Sequence, residues 1–557
     1  MAGLVVGIVA LPLAIAFAIA ASPGGDAEHT IGPAIGIITA IVAGLIISLL
    51  GGSRIQIGGP TGAFIVIIYG IVAKFGLSGL LVATILAGIM LVLMGVFRLG
   101  SVIKFIPYPI VVGFTSGIAL TIFTTQVKDL LGLTLEGGAP AAFIDKWMCY
   151  FRNITTLQWD AIAVSAVSIA IIVACTRWMK RLPGSLIAII VTTATVYFTN
   201  QSGLTHVATI GDRFGNITAS LPHINAFHLD WKSLFTDAQG HFTFNTLSAL
   251  FPSAFVIAIL GAIESLLSAT VADGVTGDHH DSNQELIGQG IANIVAPFFG
   301  GIPATGAIAR TMTNINNGAR TCIAGVVHAL VLLIIFIVAM PLAAYIPMPT
   351  LAGVLVVVSY NMSQWRTFAQ LTHRPKSDVV VLLVTFVLTV VFDLTIAIEL
   401  GLVLACLLFM RRMAEVTQLS IFTKEIDPNA DPVADIPLHE EALVIPDGVE
   451  VYEINGPFFF GVANRFEEMT AEMQDHPAIR IIRMRRVPFI DSTGVHNLEN
   501  LCLMSQRDGT QIILSGVQPK VRAVLERAGF PALIGEDNIC SHITLALERA
   551  VVLRHKS

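Results

Sequence analysis

Arg310 sits in the stretch Ala296–Asn317, APFFGGIPATGAIARTMTNINN, between two long apolar segments. An arginine at membrane depth costs about 3 kcal/mol or more, so it must face a cavity or a partner. Its planar fork suits the oxygens of a carboxylate or of sulfate. An earlier stretch answers it: Gly58-Gly59-Pro60-Thr61-Gly62-Ala63 stands against Gly300-Gly301-Ile302-Pro303-Ala304-Thr305-Gly306-Ala307. Two hydrophobic segments broken by Gly and Pro at matching places in two halves point to the binding site of a secondary transporter. Half-helices starting near Pro60–Ala63 and Gly306–Ala309 would present free backbone N–H groups and positive dipole ends. Facing each other, they would cradle an anion. The substrate-binding candidates are therefore Pro60, Thr61, Gly62 and Ala63 on one side. On the other they are Thr305, Gly306, Ala307, Ala309 and Arg310.

Glu264 is the other charged residue with chemistry to offer. It lies in the middle of SAFVIAILGAIESLLSATVA, where its ionisation is set by desolvation against any nearby guanidinium or anion. Such a carboxyl can take a proton as substrate enters and release it on the far side, which makes Glu264 the candidate coupling acid. The competing reading is a permanent Glu264–Arg310 structural pair. Ser268, one helical turn on, shares the face. A guanidinium beside the site opposes a bound cation, so the coupling ion is expected to be H+ rather than sodium. No cofactor is called for.

The elements that carry these residues belong in a bilayer. Of 557 residues 54% are hydrophobic and only 13% charged, against about 25% charged in an ordinary soluble domain. The net charge of −6 gives no reason to expect nucleic acid. Six scattered cysteines form neither a disulfide framework nor a zinc set. Asp273, Asp278, His279, His280 and Asp281 could in principle hold a metal but read as a solvated loop. With no nucleophile–base pair, metal set or phosphate-binding loop, an enzyme is not expected.

Taking about 20 apolar residues per span, membrane segments fall at 2–21, 33–50, 60–74, 77–97, 107–127, 159–178 and 184–199. They resume at 249–272, 286–299, 307–318, 320–340, 344–360, 378–392 and 394–412. The spans opening at Pro60 and Ala307 are short. Each follows an extended piece, Arg54–Ile57 and Gly301–Ala304, which a membrane tolerates only where protein or a watery cavity satisfies it. Arg98, Lys104, Arg177, Lys180, Arg181, Arg366, Arg374, Lys376, Arg411 and Arg412 share one side if both termini are cytoplasmic. Seven spans per half then invert the second half relative to the first. The transport domain is expected over 1–412 (repeats 1–199 and 249–412) and a linker over 413–440, with the boundary at Asp427–Pro432. Residues 441–557 read as soluble α/β: strands at 450–454, 480–484 and 510–514, helices near 462–475 and 518–528.

AGLVVGIVALPLAIAFAIA, GGSRIQIGGPTGAF, GAIESLLSATVADGVTG with NQELIGQGIANI, and PFFGGIPATGAIARTMTN resemble the SulP (sulfate permease) family of anion transporters. The segment around Ile490-Asp491-Ser492-Thr493-Gly494 looks like its STAS domain. GAIESLL and TGAIARTMTN look closest to the bacterial C4-dicarboxylate subgroup. The resemblance implies a seven-plus-seven inverted repeat with core and gate domains, an elevator-like movement, a homodimer and a bacterial inner membrane. It implies a role for Arg310 in anion binding and places Phe17 in the pocket. It also implies a soluble segment before the first span, which this chain would lack. In sodium-coupled bicarbonate members an acid and a hydroxyl at the positions of Glu264 and Ser268 bind sodium, but those members lack the arginine. Ser492 and Thr493 match a region phosphorylated in related anti-sigma antagonists; the alternative is a plain helix start capped by Asp491. The expected function is a proton-coupled carrier for C4-dicarboxylate or sulfate. A sodium–bicarbonate symporter or anion exchanger, and a channel or sensor whose STAS domain meets a soluble partner, stand as alternatives.

Overall fold

The computed structural model describes residues 1–23, 30–103, 107–135, 139–140, 142–178, 183–215, 245–392, 394–416, 418–422, 425–426, 443–460 and 477–555. The helix expected near 462–475, the Asp427–Pro432 boundary, Lys104, Lys180 and Arg181 lie outside them. The chain forms two compact units, Met1–Ala405 and Cys406–Ser557.

In the first unit α1 (Ala2–Ala20) and α2 (Pro33–Leu50) lead to a two-residue strand, β1 (Gly58–Gly59), a 3-10 turn (Gly62–Phe64) and α3 (Ile65–Val96). Gly76, at φ 68°, breaks α3 where the expected spans 60–74 and 77–97 meet. Then come α4 (Gly100–Ile103), α5 (Tyr108–Leu131), α6 (Phe143–Arg152), α7 (Trp159–Trp178), α8 (Gly184–Gln201) and α9 (Ile210–Phe214). The second half has α10 (Asn245–Thr276), α11 (Ser282–Val295), β2 (Thr305–Gly306), α12 (Ile308–Asn316), α13 (Ile323–Ala343) and α14 (Met348–Met362). It ends with α15 (Trp365–Leu371), α16 (Lys376–Val391) and the start of α17 (Leu394–Val416), whose residues from Cys406 on belong to the second unit. The expected apolar segments are helical over most of their lengths; 60–61 is open chain, 62–64 and 296–299 are 3-10 turns, and 344–347 precedes its helix. Among the described residues, α1, α2, α3 with its leading turn, α5, α7, α10 and α13 are long and apolar enough to cross a bilayer.

These helices pack in two groups. One gathers α1, α2, α3, α10, α11, α12 and α13; in the other α5, α7, α14 and α16 lean on one another. Lipid tails are as apolar as leucine, so helices in a membrane gain by close approach, and small residues allow it. At the crossing of α3 and α11, a methyl on Gly88 would meet the Gly290 carbonyl at 2.7 Å, and one on Gly290 would meet that of Gly88 at 2.5 Å.

The second unit is a five-stranded sheet with helices on both faces. In chain order it contains β3 (Gln418–Phe422), β4 (Glu425–Ile426), β5 (Leu443–Val444), β6 (Val449–Asn455), β7 (Ile479–Arg486) and α18 (Ser492–Arg507). Next come β8 (Gln511–Ser515), α19 (Pro519–Arg527), α20 (Phe530–Ile534), β9 (Ile539–Cys540) and α21 (Ile543–Arg554). The sheet order is β3-β6-β7-β8-β9, with β3 antiparallel to β6 and the other pairs parallel. Alternation along β7 sends Ile482 and Met484 into a core shared with α18, α19 and α20, and Ile479 and Ile481 into another closed by α21. Both faces of the parallel strands are thus covered. One expectation is corrected: β3 and β4 fall inside 413–440, read as linker, so the sheet begins about twenty residues before residue 441.

Candidate functional site

The two broken stretches meet in the first unit. β1 pairs antiparallel with β2 in the register Gly58↔Gly306 and Gly59↔Thr305, and the Ala307 N–H donates to the Ile57 carbonyl at 2.9 Å. The paired residues lie just beyond the extended pieces expected at Arg54–Ile57 and Gly301–Ala304. Open backbone at this depth has to be satisfied by protein, and buried side chains on neighbouring elements do it. The Ile302 N–H donates to Thr39 Oγ1 at 2.9 Å, and the Ile57 N–H to Thr311 Oγ1 at 3.1 Å. Asn293 grips both the N–H and the carbonyl of Ala304, at 2.9 and 2.8 Å. Asn314 Nδ2 donates to the Ile55 carbonyl at 2.9 Å. Sequence reasoning passed over these four, whose backbone partners only the fold brings near.

Where the helices resume, a cavity of about 310 Å³ opens. Phe17 from α1, Pro60–Ala63, Glu264 from α10 and Ala307–Arg310 line it, with Val358, Asn361, Met362 and Gln364 from the other packing group. Asn361, Met362 and Gln364 were not anticipated. Neither helix start has a side-chain cap: Thr61 precedes the 3-10 turn and Ala307 precedes α12. Their first N–H groups therefore lack intrahelical partners. Arg310 is 2% exposed. Its Nη2 donates to the Pro60 carbonyl at 3.1 Å, while Nη1 and the buried Thr61 Oγ1 have no partner. Glu264 is half-buried at the cavity wall, and among the described residues no hydrogen bond or ion pair joins it to Arg310.

Three candidates are placed elsewhere. Thr305 and Gly306, read as substrate-binding, lie behind the cavity in β2: Thr305 is fully buried and its Oγ1 donates to the Gly261 carbonyl at 2.9 Å. Packing took them, because the short strand has to face its partner rather than the solute. Ser268, read as a coupling residue beside Glu264, is buried and its Oγ donates to Thr311 Oγ1 at 3.2 Å.

Gly59 is held at φ 150°, and a Cβ there would run into Arg310 Nη1. Gly59→Ala is expected to displace the guanidinium and cut anion uptake at least ten-fold, with a strain of about 1–3 kcal/mol at most. Uptake by vesicles and a melt of the purified variant separate the two effects.

Glu285, within NQELIGQG, is fully buried. It accepts from Ser265 Oγ at 2.7 Å, Gln289 Nε2 at 3.0 Å and the Ser53 N–H at 3.1 Å. It ties α10 and α11 to the chain leading into β1. Glu285→Ala orphans three donors and is expected to cost about 3 kcal/mol or more of stability, read as an earlier thermal transition. Glu285→Gln should cost less, since it still accepts.

The Asp273–Asp281 loop is bound up in itself. His280 Nδ1 lies 2.6 Å from Asp273 Oδ2, and Asp281 caps α11 by accepting from the Asn283 and Gln284 N–H groups. Among the described residues no three potential ligands gather as a metal site. In the second unit Asp491 caps α18, accepting from the Gly494 N–H at 2.8 Å and the Phe460 N–H at 3.1 Å. Ser492 is exposed and Thr493 half-buried on that first turn.

Comparison with known proteins agrees with this architecture. The profile of the Sulfate permease family matches residues 1–385, and that of the STAS domain matches residues 442–548. The chain is 39% identical over 551 residues, 97% of its length and 95% of the relative's, to "Putative sulfate transporter YvdB" of Bacillus subtilis (strain 168). It is 28% identical to the "Bicarbonate transporter BicA" of Picosynechococcus sp. (strain ATCC 27264 / PCC 7002 / PR-6), over 99% of this chain and 94% of that one. The solved transmembrane domain of a cyanobacterium bicarbonate transporter BicA superposes with a TM-score of 0.60 at 28% identity, over 73% of this chain and 96% of that chain. Murine Slc26a9 in the inward-facing state shares the fold, with a TM-score of 0.82 at 19% identity over 99% of this chain and 90% of that chain. With the family profile over residues 1–385 and the STAS profile over 442–548, the chain is a membrane protein of the Sulfate permease family that carries a C-terminal STAS domain.

Proposed function

We propose that the chain is a secondary active carrier of small anions, sulfate or a C4-dicarboxylate, driven by protons. The observation that carries this is the unpartnered Arg310 Nη1 at a cavity onto which two uncapped helix starts open. A buried guanidinium with a free donor is costly unless an acceptor arrives. Oxyanions and carboxylates supply planar or tetrahedral acceptors of the right kind. Lining residues come from both packing groups, so sliding one group, the core, against the other, the gate, would carry the solute between two sides in elevator fashion. Glu264, at the wall and unpaired with Arg310, serves as the coupling acid. The chain sits in a bacterial inner membrane with both termini cytoplasmic and works as a homodimer, and its STAS domain can meet a soluble partner. Phosphorylation at Ser492 or Thr493 would add charge to the first turn of α18, where helix N-termini welcome it.

The name of one 28%-identical relative, a bicarbonate transporter, favours bicarbonate as a second reading, with sodium as the coupling ion we would pair with it. Reconstituted vesicles decide. Uptake of labelled sulfate or succinate that follows an inward proton gradient, and is displaced by the unlabelled anion, supports the first reading. Bicarbonate uptake that needs sodium at constant pH supports the second. No flux of any small anion, with a soluble protein held by the STAS domain, would overturn both.

A further inference from the structure

α6, the short helix between α5 and α7, exposes apolar residues beside Asp145 and Arg152 and buries a lysine among aromatic residues. Ile144, Met148 and Phe151 are 58, 46 and 68% exposed, whereas Lys146 and Tyr150 are its buried residues. An exposed apolar face on a helix between spans suits the membrane interface, and turning that face to lipid drives Lys146 inward. Lys146 is 3% exposed. Its ammonium lies 4.7 Å from the centroid of the Tyr69 ring and, among the described residues, makes no hydrogen bond or ion pair. With no acceptor among the described residues, the ammonium donors are left to whatever enters the space beside them.

Two spaces meet at this residue. The larger, about 310 Å³, is lined by Tyr69, Lys74, Thr121, Thr125, Lys146 and Thr389 among others, with no acidic residue among the described ones. Lys74 is exposed at its rim. The smaller, about 60 Å³, adds Lys128, Asp129 and Arg213, and Asp129 is already paired with Arg213 at 3.4 Å. Neither shares a lining residue with the Arg310 cavity. The larger one follows the same half-helix outward: Ala63 borders the central cavity, and Ile65, Val66 and Tyr69 border this one. A buried ammonium at the floor of a largely apolar cavity makes a local field that favours an anion there.

We propose that Lys146 is the floor of a second anion-binding site, distinct from the Arg310 cavity, in which a sulfate-like oxyanion or a carboxylate pauses on its way to or from the centre. Binding there needs only Lys146 and its surroundings; the pausing role rests on the carrier reading. Burial lowers the Lys146 ammonium to about 8. The groups that face it are Tyr69 and Lys74 of α3, Lys128 and Asp129 of α5, Arg213 of α9 and Tyr150 of its own helix, while α16 brings Thr389. Affinity at this site therefore falls as pH rises through about 8.

Equilibrium binding of labelled sulfate to the full-length protein in detergent tests this. Arg310→Gln, which disables the centre, should keep one saturable sulfate site. That site should weaken above pH 8 and be lost in Arg310→Gln/Lys146→Met, while Arg310→Gln/Lys146→Arg, which keeps the charge, should retain it. Lys146→Met alone should keep central binding and raise the apparent KM from the α6 side about ten-fold, at unchanged kcat. No saturable site in Arg310→Gln, or one that survives Lys146→Met, overturns the proposal. Lys146-dependent binding in a protein that carries no anion would sink the carrier reading and leave the site standing.

Discussion

Arg310→Gln is expected to abolish measurable uptake of sulfate or succinate while leaving a folded protein. The guanidinium is 2% exposed, tethered through Nη2 to the Pro60 carbonyl, and free at Nη1. Glutamine keeps a donor for the tether but loses the charge and the fork. Charge-assisted hydrogen bonds contribute about 1.5–3 kcal/mol each, so losing one with the local field should weaken anion binding by about a hundred-fold or more. Arg310→Lys tests geometry against charge, since a point ammonium cannot hold the Pro60 carbonyl and an anion in the same plane. It should keep a trace of uptake at raised KM. The measurement is initial uptake into vesicles over a wide anion range, with a melt of each variant. Uptake at the wild-type rate in Arg310→Gln would remove the arginine from the site.

What could be read from residues alone follows a physical line. Long apolar runs had no alternative to helices, because a bilayer leaves the backbone no other way to satisfy itself. Hence α1, α2, α5, α7 and α10 fell where expected. The same logic marked the two breaks, since Gly and Pro in an apolar run have to be paid for by neighbours. The identity of those neighbours was not legible. Thr39, Asn293, Thr311 and Asn314 are far from the breaks in sequence or point at a backbone that only the fold brings near. The antiparallel pairing of Gly58–Gly59 with Thr305–Gly306 was hidden too, since two glycine-rich residues carry no strand signal. It places Thr305 and Gly306 in β2, outside the residues that line the cavity. α6 escaped because ten residues broken by Asp145 and Lys146 are too short and too charged to count as a span. β3 escaped because the chain leaves α17 with no Gly or Pro to announce a strand.

Glu264→Gln should leave an anion exchanger that no longer feels a proton gradient. The side chain stands at the cavity wall with Arg310 across the same space. Glutamine copies the shape of the protonated carboxyl and cannot release a proton, so a cycle that returns empty through the ionised form is blocked. Anion-for-anion exchange, which returns loaded, is not. A pH step of about one unit supplies about 1.4 kcal/mol per proton, enough to concentrate a solute about ten-fold. The wild type should therefore accumulate sulfate or succinate about ten-fold in vesicles made more alkaline inside, and the variant should only equilibrate it. Counterflow, in which unlabelled anion inside draws labelled anion in, should persist in the variant near the wild-type rate. Loss of both activities would make Glu264 a structural or binding group instead. Retained accumulation would assign coupling to another residue, and sodium-driven accumulation lost in Glu264→Gln would turn the same carboxylate into a cation ligand.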